Sequence, residues 1–172
     1  DKTLEILSGY HDSRLKIIQQ KDNAGKLPGA INLGLDYATG DYLTWMQADC
    51  EYLHQAIEEM VRILNANPVI GQVYTDYWVI NEQGTIIQEF QTREPEEFLK
   101  YTGDPAGVSF MIRRSVREAV GPHDVDAYPS QDYDYRMRIA LRFQSYHLKQ
   151  PLFRWRIQPD SLSSKFGWKN LS

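Results

Sequence analysis

At 172 residues, with 42% hydrophobic and 24% charged residues, the chain suits one globular domain able to bury a core of its own. A net charge of −4 excludes a generally basic surface for nucleic acid or anionic membrane, and no apolar run approaches the ~20 residues of a transmembrane helix. The single cysteine, Cys50, excludes an internal disulfide and fits a reducing compartment.

The chain enters directly on DKTLEILSGYHD, which reads as a helix over residues 2–10 with no strand before it. That start reads as a segment of a longer protein, N-terminally incomplete, with residues 1–172 forming a single domain. LKIIQ at 15–19 reads as a short buried strand. Apolar residues at Ala30, Ile31, Leu33, Leu35 and Ala38 follow a helical period, with Gly40 as its stop. Tyr42–Met46 reads as a central strand. Residues 54–66 put Ile57, Met60, Val61 and Leu64 on one helical face, and Asn67-Pro68 ends it. Residues 72–80 and 85–90 read as two strands joined by Asn81-Glu82-Gln83-Gly84, a hairpin loop.

A short acidic helix at 94–101 and a strand at 107–113 follow. Ser115-x-x-Glu118 has the form of a capping box for a helix that Gly121-Pro122 stops. Ser130 can cap a helix through about Phe143, and two extended segments lie near 145–148 and 152–157. Helices alternate with strands early and a hairpin interrupts later. The pattern predicts an α/β fold: a mostly parallel sheet flanked by helices, with an inserted antiparallel hairpin.

Several residues are candidates for chemistry, each with a plainer reading beside it. Asp49 follows a hydrophobic strand and precedes a helix; it is either a loop or N-cap carboxylate or a ligand for a hard cation. Asn23-Ala24-Gly25-Lys26 is either a solvated turn or a loop whose backbone approaches a nucleotide, with Lys26 near the phosphates. Asn32, on the following helix, faces solvent or bonds and shapes that loop. Asp132 and Asp134 stand in a helix's first turn, where the dipole favours acids; a carboxylate there, beside a cleft, also suits a general base. Arg154, Arg156, Lys165 and Lys169, interleaved with Trp155, Phe166 and Trp168, form either a solvated edge or a flap over a diphosphate or sugar. The four histidines are scattered and show no metal-ligand spacing.

The order of these signals is more telling than any one. DKTLEIL…YHDSRLKIIQQKDNAGK…AINLGLDYATGDYLTWMQADCEYL resembles family 2 glycosyltransferases of the GT-A fold, as do GVSFMIRRSVREAVGPHDVDAYPSQDYDYRMRIA and PLFRWRIQPDSLSS. The resemblance implies a nucleoside-diphosphate-sugar donor and a saccharide or lipid-linked acceptor. It gives Asp49 a Mn²⁺ or Mg²⁺ ion and makes Asp132 the base that deprotonates the acceptor, in an inverting reaction. Asn23, Gly25, Lys26, Asn32, Gln47 and Arg156 fall in the nucleotide-sugar site. The setting it implies is cytoplasmic, at most peripheral to the inner face of a membrane, with homo-oligomers allowed.

The chain also departs from the family pattern. Gln47 and Cys50 replace acids of the D-x-D-D run, Gln131 replaces the Glu of the E-D pair, and Gln158 stands where histidine is common. A strand, helix and second strand usually open the family. The substitutions motivate a rival expectation, a degenerate GT-A module that binds sugar or nucleotide without turnover. A third is a nucleotidyltransferase on a similar sheet, which would release pyrophosphate.

Overall fold

The structure is a computed structural model that describes residues 2–19, 26–100 and 108–159, with the side chains of 99 and 100 left aside. In chain order it contains helices α1 (Thr3–Ser8) and α2 (Leu27–Tyr37), strands β1 (Tyr42–Leu43) and β2 (Glu51–Tyr52), and helix α3 (Ala56–Ala66). Strands β3 (Ile70–Ile80) and β4 (Ile86–Phe90), a 3₁₀ turn (Pro95–Lys100), β5 (Phe110–Arg113), α4 (Arg114–Val120), α5 (Gln131–Ala140) and β6 (Gln144–Arg156) follow.

The strands form one sheet in the order β1-β5-β3-β6-β2, with β4 added to β3. β3 is the axis. One of its edges pairs with β5 over Gln72–Tyr74 and with β4 over Tyr77–Ile80; the other runs along β6. Ten of its eleven residues are buried, as expected of a strand covered on both faces.

The sheet is mixed but mostly antiparallel, which corrects the parallel expectation. Among the described residues only β3 and β6 run parallel; β1–β5, β2–β6, β3–β4 and β3–β5 are antiparallel. Alternation of helix and strand implies parallel pairing only when sequence neighbours become sheet neighbours. Here α3 links β2 to β3, yet β2 pairs with the far end of β6.

Side chains alternate across β3 and β5 and split the core in two. Tyr74, Phe110 and Ile112 face α2, α4 and α5, where Leu35, Val116, Tyr135 and Ile139 close the layer. Val73 and Met111 face α3, meeting Ala56, Met60, Ile63 and Leu64. That buried face of α3 differs from the predicted one: Ile57 is exposed and Ile63 takes its place.

Other local expectations shift for identifiable reasons. Residues 15–19 pair with no strand of the described residues, and Leu15, Ile17 and Ile18 are exposed. Helix α2 starts three residues early because Pro28 is acceptable in a first turn. It ends at Tyr37, with Ala38 extended, and Gly40 is not left-handed.

The Ser115–Glu118 capping box does not form. The Arg114 N–H donates to the Asp41 carbonyl at 2.8 Å, so α4 begins one residue before Ser115 and its exposed donor is met by backbone. Ser130 does sit at the N-cap of α5, without a side-chain capping bond. The hairpin forms as expected: Gly84 has φ +82°, and Asn81 Oδ1 accepts from the Gln83 and Thr85 amides at 3.1 and 2.9 Å. The two C-terminal extended segments join into the single strand β6. Its register shifts between Leu148 and Pro151, where an irregularity tolerates proline. Among the described residues no helix is long and apolar enough to cross a membrane.

Candidate active site

Past β1 the chain continues as Thr44-Trp45-Met46-Gln47, still alongside α2. Thr44 Oγ1 donates to the Phe110 carbonyl at 2.6 Å and lies 2.7 Å from the Tyr52 hydroxyl, which pins the segment to the sheet. Between this segment and α2 opens a cavity of about 400 Å³, within the range of small-molecule sites. Ala30, Ile31, Gly34 and Leu35 form its α2 wall; Trp45 and Gln47 line the other side, and Asp132 reaches it from α5.

Asp132 is half-buried in the first turn of α5, where Gln131 Nε2 donates to its Oδ2 at 2.8 Å. Burial raises its pKa above the usual carboxylate value; the nearby Arg136 and the Gln131 bond oppose that without cancelling it. A carboxylate with raised basicity, on the wall of a cavity large enough for a sugar, is equipped to accept a proton.

Asp134 serves another purpose. Its Oδ2 accepts from Arg138 Nε at 3.0 Å and Nη2 at 2.8 Å, and Arg138 also donates to the Val120 and Pro122 carbonyls at 2.6 and 2.9 Å. This pair fastens α5 to the end of α4.

Asp49 lies in the turn before β2, outside the wall of that cavity. Its Oδ2 is 3.5 Å from Gln158 Nε2 and its Oδ1 3.6 Å from the Cys50 sulfur. Burial pushes the Cys50 thiol up to about 11, so it remains protonated and a poor ligand at neutral pH. No cluster of three His, Cys, Asp or Glu side chains capable of holding a metal exists among the described residues. What remains at Asp49 is one carboxylate, which fits a cation held jointly with substrate phosphates and does not fit a closed protein cage.

Arg156 is engaged on all sides. Its Nε donates to the Asp49 carbonyl at 2.9 Å, Nη1 to the Asn81 and Glu82 carbonyls at 2.9 and 3.1 Å, and Nη2 to Glu51 Oε1 at 2.6 Å. It thereby braces the Asp49 turn against the hairpin loop. Arg154 joins the same Glu51 at 3.2 Å. Trp155 packs with Tyr77, Val79 and Phe153 in a third cluster.

Lys26 reaches the loop before α5: its Nζ donates to the Val125 carbonyl at 3.2 Å and lies 3.7 Å from Asp126. Asn32 reaches the same loop with two bonds of 2.8 Å. Its Nδ2 donates to the His123 carbonyl, and its Oδ1 accepts the His123 N–H. Asn23 and Gly25 lie outside the described residues, as do Lys165, Phe166, Trp168 and Lys169. The structure thus brings Gln47 and Asp132 to one cavity, while Lys26 and Asn32, at the start of α2 and within it, bond to the loop that precedes α5. Asp49 and Arg156 share a second locus.

His123 escaped sequence reasoning. It is buried, and its ring stacks on Tyr135 at 3.9 Å with 9° between planes. No local pattern signals this, since Asn32 is 91 residues away.

Comparison with known proteins agrees with this architecture. Residues 1–121 match the family described as Glycosyl transferase family 2. An uncharacterized glycosyltransferase of Methanocaldococcus jannaschii is 26% identical over 167 residues, covering 91% of this chain and 56% of that protein. The S. aureus TarS 1–349 structure in complex with UDP-GlcNAc superposes with a TM-score of 0.72 at 16% identity, over 92% of this chain and 47% of that 1–349 chain. The mannosyltransferase PcManGT from Pyrobaculum calidifontis, in complex with GDP-Man and Mn²⁺, superposes with a TM-score of 0.60 at 17% identity, over 85% and 40%. At these identities the structural likeness is one of fold, of the GT-A type. The chain spans between 18% and 62% of the length of the curated relatives it matches. A family match over 121 of 172 residues, on a sheet with GT-A neighbours, places this chain in glycosyltransferase family 2.

Proposed function

We propose that the protein transfers a hexosyl group from a nucleoside-diphosphate sugar to an acceptor hydroxyl with inversion, and that Asp132 is the general base. The observation that carries this reading is the Asp132 carboxylate, half-buried, raised in basicity and aimed at the cavity it shares with Gln47. Asp132 accepts the hydroxyl proton as the acceptor oxygen bonds to the anomeric carbon. The bond from that carbon to the diphosphate breaks with its electron pair leaving on the diphosphate. Gln47 offers an amide donor and acceptor to sugar hydroxyls on the same wall.

Asp49 is the residue that would hold Mn²⁺ or Mg²⁺, and such an ion, when bound, neutralises charge on the departing diphosphate. Asn23, Gly25 and Lys26 form the nucleotide loop in this reading, while Asn32 and Arg156 shape the site by holding its loops.

The test is Asp132→Asn in the full-length protein. Transfer falls by about 10²–10⁴-fold, the usual contribution of a general base, while donor affinity is retained. Full transfer by the variant would remove the assignment. The rival reading, a binding module without turnover, rests on the Gln131 amide, which occupies one Asp132 oxygen at 2.8 Å. Tight donor binding with no transfer by the wild type across a donor and acceptor panel would favour it.

A further inference from the structure

We propose that His123 is a positioning residue that sets the Asp132 carboxylate against the cavity. The inference rests on the reading of Asp132 as the base.

His123 touches all three elements that surround that cavity. Its backbone is clamped to α2 through the two 2.8 Å bonds with Asn32. Its ring stacks on Tyr135, which is one turn along α5 from Asp132 and so shares its helix face. Its edge meets Trp45, a lining residue, with centroids 4.7 Å apart and planes at 82°. Trp45 in turn packs edge-on against Tyr135 at 5.7 Å and Phe110 at 4.2 Å. The face of α5 that carries Asp132 is therefore held by a stack whose other contacts are α2 and the Thr44–Gln47 segment.

The ring works as a neutral plate. Burial, reinforced by Arg136, Arg138 and Arg117, pushes its pKa down to about 3. Neither ring nitrogen has a hydrogen-bond partner among the described residues. What His123 supplies is aromatic area plus a backbone amide and carbonyl, and a phenyl ring supplies the same. This separates positioning from proton chemistry: a phenylalanine replaces the ring, and an alanine does not.

Among the described residues, Arg136 and Gln131 act on Asp132 from α5 itself, and Thr44 and Gln47 line the cavity with it from the segment after β1. Loss of the stack lets the helix start relax and water reach the carboxyl. Its ionisation then returns toward the ordinary aspartate range.

The experiment compares His123→Ala, His123→Phe and Asn32→Leu with wild type in the full-length protein. Thermal melting first verifies that each variant is folded. A ¹³C NMR titration of the Asp132 carboxyl, run without substrate, then reads its ionisation directly. Steady-state kinetics with the acceptor supply kcat, KM and the acidic limb of the pH profile. The expected result for His123→Ala is a downward shift of the Asp132 titration and of the acidic limb. Its kcat falls by up to about 10²-fold, the cost of a misplacement on the order of 1 Å, and the KM for donor is unchanged. Asn32→Leu keeps the size, adds no charge and loses both clamp bonds while the ring stack remains, so it shifts both readouts in the same direction by less. His123→Phe restores both.

An Asp132 titration that stays put in a folded His123→Ala, or a His123→Phe variant as impaired as the alanine, overturns the inference. Failure of the underlying reading looks different: Asp132→Asn then retains transfer, whatever His123 does to the titration.

Discussion

Asp76 and Asp132 are both acids set into the fold, and their surroundings push them in opposite directions. Asp76, on β3, is buried. Burial alone would raise its pKa, but Oδ1 accepts from His147 Nε2 at 2.7 Å and from the Thr92 amide at 2.8 Å. These bonds outweigh burial and hold its carboxyl below the usual range. His147 responds reciprocally. Burial lowers its pKa, yet Asp76 and, at 3.3 Å, Glu94 more than compensate, and the result is raised. Asp132 also meets an opposing partner set, the Gln131 amide and Arg136 at longer range, and there burial prevails. The contrast teaches that burial does not decide what a carboxylate is for. One with several strong partners is part of the scaffold, and an under-partnered one beside a cavity retains basicity for a substrate.

The sharpest way to break the comparison is to make one substitution at both places. Asp132→Asn abolishes most transfer while the protein melts at or above the wild-type temperature, because an ion disfavoured in the folded state has been removed. Asp76→Asn does the reverse. Removing one member of a buried ion pair costs about 3–5 kcal/mol, and the fraction that remains folded keeps its rate per active site. Denaturant unfolding and active-site-normalised rates distinguish the two; equal destabilisation would erase the contrast.

The pH dependence of stability is a milder test, with its sign given by the two shifts. Asp76 is lowered, so its contribution is present above the ordinary aspartate value and lost as pH falls through its folded value. His147 is raised, so its contribution is complete below the ordinary histidine value of 6.5 and lost as pH rises through its folded value. Stability from this network is therefore greatest between the two limbs. His147→Gln removes the decline on the alkaline side, as urea unfolding at a series of pH values would show. A wild-type alkaline decline that persists in the variant would place its origin elsewhere.

The smallest effect belongs to Asp134→Asn. The Asp134–Arg138 pair is an i,i+4 bridge, part-exposed, worth about 0.3–0.5 kcal/mol. Arg138 keeps its carbonyl partners at Val120 and Pro122, so α5 stays in place and transfer changes little. Loss of transfer here, with Asp132→Asn active, would move the base two residues along the helix.

Much of the local structure is legible before folding. The apolar run at 72–80 is the buried axis of the sheet. Asn81 and Gly84 bend the hairpin with the side-chain acceptor and positive φ that such a turn uses. Gly121 ends α4 at φ +80°. Asp132 stands out as an acid in a first turn, and Asp134 as its neighbour on a different helix face that meets Arg138. Residues 15–19 mark the opposite case. Their pattern asks for a strand, and no described strand lies beside them to supply the hydrogen bonds.

Periodicity and turn chemistry act over a few residues, so the sequence by itself determined where most helices lie, where the long axis strand runs and where the hairpin turns. It also determined which acids were available. Tertiary structure alone decided the direction of the sheet, because strand partners are chosen by which edges meet and not by chain order. It decided that Arg156 braces the Asp49 turn from 107 residues away, and that Asn32 holds His123 across 91. It also decided which aspartate keeps its basicity. That depends on the partners within hydrogen-bond reach, and for Asp76 the nearest of them lie 16 and 71 residues along the chain.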